Sequence, residues 1–282
     1  IVKLRKIIER YEVITFDVFD TIVSRKCNLP DDVFDILSDS VKDFWEIDNF
    51  AVLRKEAQIA THCSNQNIGD IYKYISQTLK MDDAIACEIL SLEIEIEKSI
   101  LAPRKEIINL VNDISKYKDV WFISDMYFNK KTMQEILLDA GVIKTEKILL
   151  SCECNASKAD GTLWDYYIDG IQDGRSTIHI GDNVISDEQI PRNKGINTYS
   201  LFGENNLFVN SSLGEIAKML STKTHFELMG LLKNNIFGNP FSLANSHGLV
   251  VLDSFEQLGY VLYGPTLLVY CAWLSNLIEE IH

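Results

Sequence analysis

Basic residues are in short supply: 27 Lys and Arg stand against 41 Asp and Glu, a formal net charge of −14. That balance opposes non-specific binding to nucleic acid or anionic membrane. No basic cluster with interleaved aromatics relieves it, so nucleic acid is not an expected partner. The six cysteines (Cys27, Cys63, Cys87, Cys152, Cys154 and Cys271) include no CxxC pair, and Cys152-x-Cys154 lacks a second pair. A zinc site is thereby excluded, and scattered thiols suit a reducing, cytoplasmic setting. There is no internal repeat and no low-complexity tract. The chain starts at Ile1 and stops inside an apolar stretch, as a fragment of a longer protein would.

What is present is a chain of 282 residues with 46% hydrophobic and 24% charged composition, enough for one large domain or two smaller ones around a substantial core. Strand-like and helical runs alternate over the first 200 residues or so. Val13–Phe16 opens with a buried strand. From about Pro30 to Ile100 no strand is evident. Amphipathic stretches instead run from Asp31 to Glu46, Asn49 to His62, Ile68 to Leu79 and Asp82 to Ser99. In the last of these, Ile85, Ile89, Leu92 and Ile96 recur at helical spacing behind an Asp82 N-cap. Pro103 is read as opening a helix through Ser115. Strands then follow at Val120–Ile123, Lys147–Ser151, Thr177–Ile180 and Asn197–Leu201, with helices near Lys130–Asp139, Thr162–Gly170 and Asp187–Lys194 between them.

This alternation predicts an α/β fold with a mostly parallel, Rossmann-like sheet and helices on both faces. Residues 1–25 and 101–202 form the core of that expectation. Residues 26–100 are an all-helical cap over the carboxyl edge of the sheet, and 203–282 are a helical extension. Within the extension, Lys233–Asn235 and Gly238–Pro240 are read as polar loops. Leu258–Ile278 carries no charge over 21 residues, a length that would span a membrane. Gly259, Gly264, Pro265, Ser275 and Asn276 dilute it, so the expectation is a buried or docking helix and no membrane partner.

Chemistry concentrates where strands end. Val13–Phe16 runs into Asp17-Val18-Phe19-Asp20-Thr21, Trp121–Ser124 into Asp125, and Ile178–Gly181 into Asp182 with Ser186-Asp187 beyond. Ser157-Lys158-Ala159-Asp160-Gly161 lies in the loop after the third strand. The carboxyl edge of such a sheet is where ligands bind. A carboxylate at Asp17 can attack phosphorus and split one displacement into two. A turn-capping role is the alternative for an isolated strand-end Asp. Thr21 reads either as a hydroxyl for a substrate oxygen or as a helix N-cap. Ser124, with the backbone N–H groups of Asp125 and Met126, suits a phosphate oxygen. Lys158 would neutralise the charge gathered there, or be simply solvated. Asp182 and Asp187 suit a hard cation such as Mg²⁺, although Asp187 would serve equally as the cap of its helix.

Together FDVFDT (Phe16–Thr21), ISD (Ile123–Asp125), SKADG (Ser157–Gly161) and HIGDNVISD (His179–Asp187) resemble the motifs of the haloacid-dehalogenase-like hydrolase superfamily, over roughly residues 10–200. The resemblance implies a Rossmann-like core with a helical cap after the first motif. It implies Asp17 as nucleophile, Ser124 as phosphate-binding hydroxyl and Lys158 as charge-neutralising amine. Mg²⁺ would be held by Asp17, the carbonyl of Phe19 and Asp182, with Asp187 in support. Family phosphatases carry a second Asp, the general acid/base, two residues after the nucleophile. Here Phe19 stands there and Asp20 follows it, so Asp20 is the substitute candidate. FD-x-FDT with HIGDN-xx-SD is further similar to bacterial hydrolases joined to glycosyltransferases in surface-polysaccharide pathways. That implies a small phosphorylated metabolite such as a sugar phosphate as substrate, and other domains of a longer glycan-assembly protein as partners. Two other readings stay open. One is a dehalogenase, which also lacks the second Asp; the other is a non-catalytic domain that binds or scaffolds. Arg25, Arg54 and Glu56 are further candidates for substrate contact, each with a surface salt bridge as its alternative.

Overall fold

The computed structural model describes residues 1–62, 66–170, 176–219, 223–243, 248–252 and 254–281. Its centre is a short apolar strand, β1 (Val13–Phe16), in which every residue is buried. A strand covered on both faces reads as a continuous hydrophobic run rather than an alternation. β2 (Val23–Arg25) and β3 (Leu101–Pro103) form a separate antiparallel pair. β4 (Asp119–Ser124), β5 (Ile148–Leu150), β6 (Thr177–Gly181) and β7 (Asn197–Ser200) complete a five-stranded sheet in the order β5-β4-β1-β6-β7. Every pairing in that sheet is parallel.

The order explains where a site belongs. The chain builds outward from β1 through β4 to β5, then crosses back to place β6 on the other side of β1. The crevice at the carboxyl ends of β1, β4 and β6 is therefore a topological switch point, where open α/β sheets bind ligands. Asp17, Ser124 and Asp182 all sit at that edge.

β2 and β3 bracket the insertion, and four helices lie between them: Asp32–Trp45, Phe50–Ala60, Ile68–Leu79 and Asp83–Ile100. The hairpin itself was not legible in the sequence. Nor does Pro103 open a helix: it faces Val23 as the last residue of β3, and the helix runs from Lys105 to Ile114. The cause is Arg104, fully buried, whose guanidinium donates to the carbonyls of Asp20, Phe202 (2.8 Å) and Gly238 (2.9 Å). Its own N–H donates to the Ile22 carbonyl at 2.9 Å, which prolongs the hairpin pairing past Pro103.

The insertion has a polar centre. Arg54 and Glu93, both inaccessible to solvent, form a two-pronged ion pair at 2.7 and 2.8 Å. Tyr72 Oη donates to Glu93 at 2.7 Å, and the Arg54 guanidinium lies over the rings of Phe34 and Tyr127. Arg54 thus joins helices of the cap to one another. Glu56 is exposed on the same helix.

The extension departs from expectation in two places. Lys233–Asn235 is not a loop but lies inside the helix Lys223–Phe237. Its polar side chains are turned inward: Lys233 Nζ donates to the Asn28 carbonyl (2.7 Å), and Asn234 Nδ2 to Ser24 Oγ and Glu204 Oε1 (both 3.0 Å). Most of the charge-free run lies in the helix Gly264–Ile281, yet it is not buried, and Leu268, Val269, Tyr270 and Trp273 are all exposed. By length and composition alone, Phe255–Ile278 could cross a membrane. The described cysteines Cys27, Cys87, Cys152, Cys154 and Cys271 are free thiols, and Cys63 lies outside the described residues.

Replacing Arg54 with Leu leaves Glu93 buried without its counter-charge. We expect a loss of about 3–5 kcal/mol in urea unfolding, with part of it regained in the Arg54→Leu/Glu93→Leu double variant. Equal stability of single variant and parent would refute this account of the cap.

Candidate active site

Four loops meet at the carboxyl edge of the sheet. The first follows β1, where the chain makes a tight coil: Ile22 N–H donates to Val18 O (2.8 Å), Val23 N–H donates to the same carbonyl (3.1 Å), and Asp20 N–H donates to Val23 O (2.6 Å). Asp20 sits in the left-handed region at φ 58°, a conformation that Asp tolerates better than most residues. This coil keeps Asp17 buried against the sheet, while Asp20 and Asp182 share the wall of one cavity. Phe19 packs on the core with the Arg25 guanidinium 4.4 Å above its ring.

Lys158 is buried at the centre of the site. Its Nζ donates to Asp17 Oδ1 at 2.5 Å and to Asp187 Oδ1 at 2.7 Å. Burial alone would lower its pKa, but the two carboxylates outweigh burial and raise it above the ordinary lysine value, so the amine is held as a cation. Asp187 is in turn fixed by the Asn183 N–H (3.1 Å) and by His179 Nε2 (3.3 Å). Although burial raises it, Lys158 and His179 hold Asp187 below the usual carboxylate range. His179 is wholly buried in β6, and its other ring nitrogen meets Thr15 Oγ1 at 2.7 Å. Asp187 is not a helix cap: it lies inside the helical turn Val184–Gln189, which Asn183 caps, its side chain accepting from the N–H groups of Ile185 and Ser186.

Carboxylate oxygens of Asp17, Asp182 and Asp187 lie within 4.8 Å of one another. Burial, then repulsion from Asp17, Asp20 and Asp187, pushes Asp182 up to about 8. Burial and the charge of Asp187 push Asp17 up to about 7 against the pull of Lys158. Three acids sharing one ammonium are short of positive charge, which a hard divalent cation with oxygen ligands would supply. The donor set therefore fits Mg²⁺ held by Asp17, Asp182 and Asp187, and in this arrangement Asp187 answers to Lys158 as well.

On the other side, Ser124 is buried at the end of β4. Asp125 does something its sequence position did not announce: its carboxylate accepts from Lys158 N–H (2.8 Å), Ala159 N–H (3.2 Å) and Ser157 Oγ (2.8 Å). It thereby fixes the loop that delivers Lys158. The Met126 N–H, expected to meet a phosphate oxygen, donates to Ser151 Oγ at 3.0 Å. Thr21 is inaccessible to solvent and its hydroxyl has no hydrogen-bond partner among the described residues. Of the three further candidates, Arg25 alone reaches a cavity while pairing with Glu97 at 2.6 Å; Arg54 is consumed inside the cap and Glu56 faces solvent.

Solved structures share this fold. A HAD-family enzyme from Bacteroides thetaiotaomicron aligns over 68% of this chain and 94% of its own, with 14% identity and a TM-score of 0.50. The fold is that of the haloacid-dehalogenase-like enzymes. A 2-haloacid dehalogenase from Pseudomonas syringae pv. Tomato aligns over 68% of this chain and 86% of its own, with 12% identity and a TM-score of 0.51. A magnesium complex of the Bacteroides enzyme covers 69% of this chain and 94% of its own at 14% identity and a TM-score of 0.48. No family sequence profile matches the chain, and no curated protein matches it in sequence.

If Asp182 belongs to the cation site, Asp182→Asn weakens Mg²⁺ binding by at least about tenfold in titration calorimetry, on the scale of lost coordination support. Unchanged affinity would remove Asp182 from the ligand set.

Proposed function

We propose that the protein is a Mg²⁺-dependent phosphatase or phosphotransferase that acts on a small phosphorylated metabolite through an aspartyl-phosphate on Asp17. The observation that carries the reading is the buried Lys158 ammonium joined at once to Asp17 and Asp187, beside a third acid at Asp182. A site that pairs a nucleophilic carboxylate with fixed positive charge is suited to gathering, holding and releasing a phosphoryl group.

In the first step an Asp17 carboxylate oxygen bonds to phosphorus and the bond from phosphorus to the ester oxygen breaks. Asp20 gives a proton to the departing oxygen. In the second step water attacks phosphorus, its proton passes to the Asp20 carboxylate, and the bond to Asp17 breaks to release inorganic phosphate. Transfer to an alcohol in place of water gives the phosphotransferase outcome. Lys158 balances charge on the phosphoryl oxygens, and Ser124 offers them its hydroxyl. Bound Mg²⁺ would neutralise the negative charge shared by phosphate and carboxylates.

The resemblance of FD-x-FDT and HIGDN-xx-SD to hydrolases linked with glycosyltransferases supports a sugar phosphate as substrate and other domains of a glycan-assembly protein as partners. A cytoplasmic setting accords with the free thiols. A second reading, hydrolysis of a carbon–halogen bond, draws on Phe19 and on the fold shared with a haloacid dehalogenase. The crowded acids at Asp17, Asp182 and Asp187 weigh against it, because that chemistry has no need of a cation.

The test is phosphate release from a panel of sugar and small-metabolite phosphates with Mg²⁺ or EDTA. We expect metal-dependent turnover that Asp17→Asn abolishes. Asp20→Asn should lower kcat by about 10²–10⁴-fold, the usual contribution of general acid/base catalysis. Halide release from haloacids would favour the second reading. A flat result from folded protein would leave a domain that binds without turnover.

A further inference from the structure

Two cavities open near the site, and they differ in what they touch. The larger, about 610 Å³, lies between cap and core and reaches Asp125 and Ser157, but neither Asp17 nor Asp182 lines it. The smaller, about 260 Å³, is not lined by Asp17 either, but both Asp20 and Asp182 form its wall. Its opposite wall comes from the extension, through Asn205, Asn206 and Lys233. The walls meet closely: a Cβ on Gly203 would lie 2.8 Å from Asp182 Oδ2 and 3.6 Å from the Asp20 Cβ. Helix Lys223–Phe237 is pressed equally hard on the cap linker, where a Cβ on Gly230 would lie 2.5 Å from Cys27 backbone.

The chemistry of this cavity is mixed. Lys233 is almost wholly buried, and its Nζ donates to Asn28 O at 2.7 Å and to Asn205 Oδ1 at 3.3 Å. An ammonium has three N–H donors; beyond these two acceptors Lys233 Nζ faces the Phe208 ring, 5.9 Å from its centroid. Arg25 adds a second cation, while Asp20, Asp182 and Glu204 supply three carboxylates. An anionic group would meet more negative than positive charge. A purely apolar one would strand buried donors and acceptors, at about 1–3 kcal/mol for each. Neutral hydroxyls, which both donate and accept, satisfy amides, ammonium and carboxylates together.

We infer that this cavity receives the leaving group of the phosphate ester, that the group is a polyol or sugar, and that Lys233 of the extension is a residue that selects it. The inference rests on the phosphatase reading for the word leaving group, but the binding it asserts does not require turnover. It places the leaving oxygen on the side of Asp20, so the shift of the acid from position 19 to position 20 and the presence of the extension become one adaptation. The larger cavity under the cap then serves as approach rather than as the seat of the departing group.

The test compares binding of a hexitol phosphate with binding of inorganic phosphate, by calorimetry on Mg²⁺-loaded Asp17→Asn protein, alone and with Lys233→Met or Asn206→Trp added. The expected result is an affinity ratio, hexitol phosphate over inorganic phosphate, that falls at least about tenfold with either addition. Asn206 is exposed, so Asn206→Trp obstructs the cavity without disturbing the core and keeps the test decisive if Lys233→Met folds poorly. A ratio within about twofold of the parent in a folded Asn206→Trp protein overturns the inference, whatever the turnover results. A lowered ratio in a protein that shows no phosphate release would uphold the cavity while refuting the phosphatase reading.

Discussion

Everything at this site depends on one ammonium group. Lys158 Nζ bonds to Asp17 and Asp187, and the three side chains are buried together. Carboxylates this close and this dry repel one another, and removing charge from water is costly unless it is paired and hydrogen-bonded. The surrounding structure is arranged to hold the ammonium in place. Asp125 gathers the N–H groups of Lys158 and Ala159, fixing the loop before the side chain begins. Asn183 and His179, the latter itself held by Thr15, fix the far partner, Asp187. The parallel sheet serves to bring these loops to one edge.

A second constraint joins the site to the outer parts of the chain. Asp20 can occupy its left-handed turn because Arg104 takes the Asp20 carbonyl while also tying down Phe202 and Gly238. One buried guanidinium thus links the loop after β1, the end of the hairpin and the extension. Asn234 does the same through Ser24 and Glu204. The extension is therefore not an appendage of the core: it braces the linker through which the chain enters the cap.

Local pattern made much of this legible. Strands β1, β4 and β6 announced themselves as apolar runs ending in acids, and the cap helices as three- and four-residue periodicities, because both signals are written in adjacent residues. Asp17, Lys158, Asp182 and Asp187 could be assembled from motif order before any geometry was known, and the structure brings them together. What escaped was non-local. Three-residue strands such as β2 and β3 carry too little pattern to stand out, and Pro103 pointed to a helix that Arg104 overrides from across the fold. Lys233 and Asn234 looked like a polar loop because their partners, Asn28, Ser24 and Glu204, lie far away in sequence. The role of the Asp125 carboxylate was equally hidden, because the Ser157-Lys158 loop that it fixes lies some thirty residues on in the chain. The apolar helix was expected to be buried or docked, because composition reports hydrophobicity and not packing; in the structure it is exposed.

The central claim is that Asp17 carries the phosphoryl group. The most direct measurement is rapid acid quench of the Mg²⁺-loaded protein during turnover of a phosphorylated metabolite, followed by mass spectrometry of its peptides. The account predicts one phosphoryl group on the peptide containing Asp17, labile to hydroxylamine and absent from Asp17→Asn. Turnover that leaves Asp17 unmodified at every quench time, with phosphate passing straight to water, would contradict it.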